Sequence, residues 1–143
     1  MTLATTLATS INVNGIEYVE KSTVTATTTT TLDRDVYAEN SDGLPYVIVR
    51  CLNAGVHAGY LKGRSSITLT LVNSRRLWRW WSKFTLSALA VEGPLATKMT
   101  EQKYSMTVPL LDLTGSDVCE VIYCSERARE AIEAIPAHPD TGP

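Results

Sequence analysis

The stretch Asn73-Ser-Arg-Arg-Leu-Trp-Arg-Trp-Trp81 places three arginines and three tryptophans within seven residues. Guanidinium groups grip phosphate oxygens through paired hydrogen bonds, and indole faces stack on nucleobases. On an extended strand, Arg76, Trp78 and Trp80 share one face, while Arg75, Leu77, Arg79 and Trp81 share the other. One surface carrying both residue types has the chemistry of a nucleotide site. The same pattern also fits tryptophans buried in a core with arginines reaching past them to solvent, and the spacing leaves both readings open.

Two other segments could add contacts to an anion. In the loop Asn53-Ala-Gly-Val-His-Ala-Gly59, Gly55 and Gly59 allow a ligand close to backbone N–H groups, and His57 stands beside them. Gly55 and His57 are therefore counted as ligand-binding candidates, although glycines between strands also serve as plain turns. Arg127 and Arg129 open the last helical segment, where the helix dipole disfavours cations. They read either as an anion clamp at the helix N-terminus or as partners of Glu126, Glu130 and Glu133.

Signs of catalysis are sparse. His57 and His138 are the two histidines, and no GxSxG, HExxH, P-loop or GxGxxG pattern occurs. His57 and Cys51 lack a third group to orient them as a nucleophilic pair. Cys51, Cys119 and Cys124 form no CxxC, and the last two face opposite ways along one strand, so buried reduced thiols are expected. The reading is a non-enzyme with no catalytic residue, no metal and no cofactor.

The elements that must hold the Arg/Trp strand follow from pattern and punctuation. Tyr46–Cys51 reads as a buried strand, and His57–Lys62, Ser66–Asn73, Arg75–Trp81, Lys103–Val108 and Val118–Tyr123 as further strands. Thr85 caps a short helix that Gly93-Pro94 stops. Ser125 caps a second, with Ala128, Ala131, Ile132 and Ile135 as its apolar stripe and Pro136 as its end. The fold class expected is α+β, a small mixed or antiparallel sheet of about five strands with two short helices. Upstream, Asn14-Gly15 between alternating apolar residues marks a β-hairpin at 11–19. Eleven threonines among the first 31 residues mark the surroundings as linker. The organisation expected is an arm at 1–43, a compact ligand-binding domain at 44–136 and a tail at 137–143.

The 143 residues carry 44% hydrophobic and 20% charged side chains, the balance of an ordinary globular domain. No apolar run approaches the roughly 20 residues of a membrane span, and Met1-Thr-Leu-Ala-Thr-Thr lacks the start of a signal peptide. A cytoplasmic protein without a membrane partner is expected. The net charge of −2 is segregated: residues 44–110 hold nine basic side chains against two acidic ones, and both ends are acidic. A basic middle calls for an anionic partner, unless the acidic ends fold over it. The overall acidity excludes duplex nucleic acid as the expected partner.

Several segments taken in order carry a family resemblance. They are Tyr46-Val-Ile-Val-Arg50, Ala54-Gly-Val-His-Ala-Gly-Tyr60, Asn73-Ser-Arg-Arg-Leu-Trp78, Leu86-Ser-x-Leu-Ala90 and Val121-Ile-x-Cys-x-Glu-Arg-Ala128, with Val13-Asn-Gly-Ile-Glu-Tyr-Val19 upstream. Together they resemble small phage and prophage proteins of the Thoeris anti-defence type. The resemblance implies a non-enzymatic sponge in the infected bacterial host, one that sequesters cyclic ADP-ribose signals, and cyclic trinucleotides in some members. It also implies assembly as a dimer or hexamer. On this basis Arg75, Arg76 and Arg127 would hold phosphates, and Trp78 or Phe84 would stack on adenine. The threonine run and Leu95–Gln102 depart from the family pattern. Two other readings remain open: a structural or protein-interaction role in the phage, and single-stranded nucleic-acid binding.

Overall fold

The computed structural model describes residues 10–14, 16–19 and 37–139. Its contacts divide the chain into two units, Met1–Val36 and Tyr37–Pro143. In the first, strands β1 (Ser10–Val13) and β2 (Ile16–Val19) pair antiparallel, with Val13 opposite Ile16. Asn14 takes φ 54°, the left-handed conformation that a two-residue hairpin turn demands. The expected hairpin is thus formed. The Thr27–Thr31 run and residues 140–143 lie outside the described residues.

The second unit is α+β, with every strand pairing antiparallel. Its strands are β3 (Tyr46–Cys51), β4 (Val56–Arg64), β5 (Thr68–Arg79), β6 (Lys103–Tyr104), β7 (Val108–Thr114) and β8 (Val118–Tyr123). The order runs β8-β3-β4-β5, and β6 and β7 both pair with the outer edge of β5. Helix α1 (Leu86–Glu92) is capped by the Thr85 hydroxyl, which accepts from Ala88 N, and it stops at Gly93 with φ 84°. Helix α2 (Glu126–Ala134) is capped likewise by Ser125, which accepts from Ala128 N. Both helices, their caps and the apolar stripe of α2 stand where the sequence places them. No helix among the described residues is long and apolar enough to cross a membrane.

Strand alternation gives the sheet two apolar faces. Tyr46 and Ile48 join Ala58, Leu77, Leu89, Ala90, Ala128 and Ile132 in a core beneath the helices. Val47, Val49, Leu69, Leu71 and Leu113 form a second cluster on the other face, drawn from strands alone. The compact unit also begins earlier than Leu44. Ala38 is buried, and its N–H and C=O bond to Cys124 and Tyr46, so the chain from Tyr37 is already part of the fold.

Two differences from the expected strands shape the site. The first is that 66–73 and 75–81 are not separate strands. A single twelve-residue β5 runs through Asn73 by way of a bulge. Tyr60 pairs with Val72 and Ala58 with Arg75, so Gly59 alone faces Asn73 and Ser74. Asn73 absorbs the extra residue at φ 48°. Gly59 is required there, because a Cβ would lie 2.7 Å from Ser74 Cβ. The bulge shifts the alternation, so Ser74, Arg76 and Trp78 follow Leu69 and Leu71 onto the helix-free face, and Arg75 and Leu77 turn towards the helices. The second difference is β7, where a strand ending at Val108 is expected. Pro109 argues against a strand in the sequence but is tolerated because β7 pairs only with β5, on its other side an edge.

Candidate functional site

The bulge and the break between β6 and β7 open a cleft of about 460 Å³ on the helix-free face. Its polar lining is His57 from β4, Ser74 and Arg76 from β5 and Ser105 from the break, with Trp78, Val108 and Leu111 supplying apolar wall. Ser105 sits where two strands give way to each other. Its Oγ accepts from Arg76 N at 2.8 Å and donates to Met106 O, holding the connection against β5.

Trp78 is the centre of this surface, 68% exposed. Arg76 and Trp78 also line a second hollow of about 290 Å³ with Asn53, Gly55 and Trp80. Trp78 borders a third of the same size with Arg79 and Lys103, which are opposite each other in the β5–β6 pairing. Each of three cations, Arg76, Arg79 and Lys103, therefore shares a hollow with this indole. Among the described residues none of the three forms an ion pair, whereas Arg50, Lys83 and Lys98 pair with Glu120, Glu92 and Glu101. Among these pairs only Glu120 comes from the acidic C-terminal stretch, since Glu92 and Glu101 belong to the basic middle itself. Among the described residues no carboxylate lines the three hollows around Trp78.

His57 is buried beside Arg76, its cross-strand neighbour. Its Nε2 lies 2.9 Å from Ala54 O. Burial pulls the ring below the usual histidine range; the Ala54 carbonyl opposes this and the Arg76 charge adds to it, so the ring is neutral at pH 7. Because a carbonyl only accepts, Nε2 is the protonated nitrogen.

Other candidates take different places. Arg75 points to the helix side and is 5% exposed. Its Nη1 donates to Ile132 O at 3.1 Å and Ile135 O at 2.6 Å, and its Nε to Ser105 O at 3.1 Å. Its guanidinium lies over the Tyr104 ring, 5.3 Å from the centroid. The expected phosphate ligand is instead a strut under the C-terminus of α2, where a cation suits the helix dipole. Arg129 is likewise engaged, with Nε 2.9 Å from Glu126 Oε1 and further bonds to Glu126 and Glu133, the latter also accepting from Tyr60. Of its two sequence readings, the structure has the carboxylate pairing and not the clamp. Arg127 is exposed at the start of α2, and neither it nor Phe84, 90% exposed, lines the cleft or its two neighbours. Trp80 packs partly against the helix-side core. Cys51 and Cys124 are buried, as expected, but Cys119 is exposed.

Gly55 borders the second hollow, yet its loop is not a phosphate cradle. Asn53 N and Nδ2 donate to Asp117 Oδ1 at 2.8 and 2.7 Å, and Ala54 N donates to Asp117 Oδ2 at 3.0 Å. Asp117 therefore occupies the amides offered to an anion and, through Ala54, fixes the carbonyl that holds His57. No local signal links Asp117 to a loop 63 residues away. These bonds, from Asn53 N first, hold its carboxyl below the usual carboxylate range. Stability from this clamp is full above about pH 4 and is lost as pH falls through the lowered native value. The urea midpoint of the wild type is expected to fall towards that of Asp117→Ala as pH is lowered from 5 to 2. A constant gap would show that the carboxylate charge is not what holds the loop.

Residues 44–132, which include every residue lining the cleft, match the profile of a family described as a domain of unknown function, DUF6948. The chain belongs to that family. No curated protein matches it, and no solved structure does. The DUF6948 span starts at Leu44, after the Tyr37–Asn40 segment, and ends within α2, before the Ile135 carbonyl that Arg75 holds. Its description names no ligand or reaction.

Proposed function

We propose that this DUF6948 protein binds a nucleotide-type signal without cleaving it, as a phage anti-defence sponge in the cytoplasm of an infected bacterium. One observation carries the binding reading. Trp78 stands exposed and shares its hollows with Arg76, Arg79 and Lys103 and, among the described residues, with no carboxylate. An indole face stacks on a base, and unpaired guanidinium and ammonium groups around it meet phosphate. The likeness to Thoeris anti-defence proteins supplies the ligand class, cyclic ADP-ribose isomers and cyclic oligonucleotides, and the assembly, a dimer or hexamer. With Arg75 and Arg129 committed elsewhere, the phosphate contacts fall to Arg76, Arg79 and Lys103.

The test is to incubate the purified full chain with cyclic ADP-ribose isomers and with cyclic di- and trinucleotides. Thermal shift reports binding, and mass spectrometry after heating reports what is released. The expected result is a raised Tm and a ligand recovered intact. A cleaved ligand would mean an enzyme. No shift with any member of the panel would overturn the proposal and leave the exposed Trp78 surface to a protein partner.

A further inference from the structure

Two buried side-chain atoms have no hydrogen-bond partner among the described residues, Tyr46 Oη and Ser74 Oγ. Tyr46 belongs to the helix-side core, but Ser74 lines the cleft two residues from Arg76 on the same face of β5. An unpaired buried hydroxyl is costly and uncommon. The bulge explains how it arises. Its cross-strand neighbour is Gly59, where a Cβ would collide with Ser74, so no side chain on β4 can reach the hydroxyl from that position.

His57 supplies a second group with one free valence. With Nε2–H donated to Ala54 O, the neutral ring retains Nδ1 as an acceptor. His57 pairs with Arg76, so it is the diagonal neighbour of Ser74 across β4 and β5. Asp117 fixes the supporting loop by bonding Ala54 N, which holds the ring in this state.

We infer that Ser74 and His57 select a ligand edge that presents an N–H donor beside an acceptor, the edge that adenine and cytosine carry as an amino group next to a ring nitrogen. The amino N–H donates to His57 Nδ1, and the Ser74 hydroxyl donates to the ring nitrogen. Arg76, next along the same face, takes a phosphate, and Trp78 takes the plane of the base. This specificity rests on the nucleotide-binding reading above.

Titration calorimetry on the full chain tests it with adenosine monophosphate, its N6,N6-dimethyl analogue, ribose 5-phosphate and cyclic ADP-ribose. The expected result is that the dimethyl analogue binds about tenfold more weakly than adenosine monophosphate, the scale of one hydrogen bond. Ser74→Ala is expected to weaken adenosine monophosphate by a similar factor while keeping or raising Tm, because the hydroxyl has no internal partner to lose. Equal binding of the dimethyl analogue, or of ribose 5-phosphate, overturns the inference and leaves nucleotide binding intact. So does binding of cyclic ADP-ribose without adenosine monophosphate, or wild-type affinity in Ser74→Ala. A wild-type chain that binds none of the four overturns both.

Discussion

Arg75→Ala is expected to destabilise the domain by about 3 kcal/mol, because it leaves the Ser105 and Ile135 carbonyls without their charged donor and leaves Ile132 O with the Ile135 N–H alone. For a unit of about this size that corresponds to a fall in Tm on the order of 10–20 °C. The guanidinium joins the C-terminus of α2 (Ile132 and Ile135) to the break between β6 and β7 (Ser105), so the loss is felt on both faces of the sheet. Arg75→Lys is expected to recover only part of it, since one ammonium cannot reproduce a planar fork aimed at three oxygens. Thermal and urea denaturation of the full chain followed by circular dichroism would read this directly. A wild-type midpoint in Arg75→Ala would show that water replaces the guanidinium without cost. Any loss of ligand binding in this variant must be measured well below its own midpoint, or unfolding will pass for a lost contact.

Arg75 and Arg76 are neighbours of identical chemistry, and their different fates mark the limit of what this sequence discloses. Period-two alternation puts them on opposite faces, and that much is legible. Which face meets the helices is decided by Ile132 and Ile135, 57 and 60 residues further on, and nothing local signals it. Asn73-Ser74 reads as the end of a strand, because asparagine followed by serine ordinarily punctuates. In the fold it is a bulge inside β5, and that bulge brings Ser74, Arg76 and Trp78 onto one wall. Elements whose signals are local came through: the Thr85 and Ser125 caps, the Gly93 stop and the Asn14 turn. Contacts that depend on a distant partner did not. Ser105, Asp117 and Lys103 reach the site from outside the Arg/Trp segment, and only the antiparallel return of the chain brings them there. Pro109 hid β7 for a related reason, since a proline is admissible in a strand only once that strand is known to lie at an edge.

Arg76→Ala should separate the site from the scaffold in the opposite sense to Arg75. The side chain is exposed and forms no ion pair among the described residues, so the fold is expected to keep its wild-type midpoint. Binding of a phosphate-bearing ligand is expected to weaken by roughly 10–100-fold, the worth of a charged hydrogen bond in a partly enclosed site. Trp78→Ala is expected to weaken it by a comparable factor, since base–aromatic stacking contributes about 1–3 kcal/mol. The two variants should differ in their salt response. The Arg76→Ala complex loses a charge contact and becomes less sensitive to ionic strength, whereas the Trp78→Ala complex keeps the wild-type slope. Arg127→Ala supplies the contrast, because Arg127 lines none of the hollows around Trp78 and is expected to leave affinity unchanged. If instead Arg127→Ala abolishes binding and Arg76→Ala does not, the ligand sits at the start of α2, where the resemblance has Arg127 hold a phosphate, and the cleft beneath Trp78 has another use.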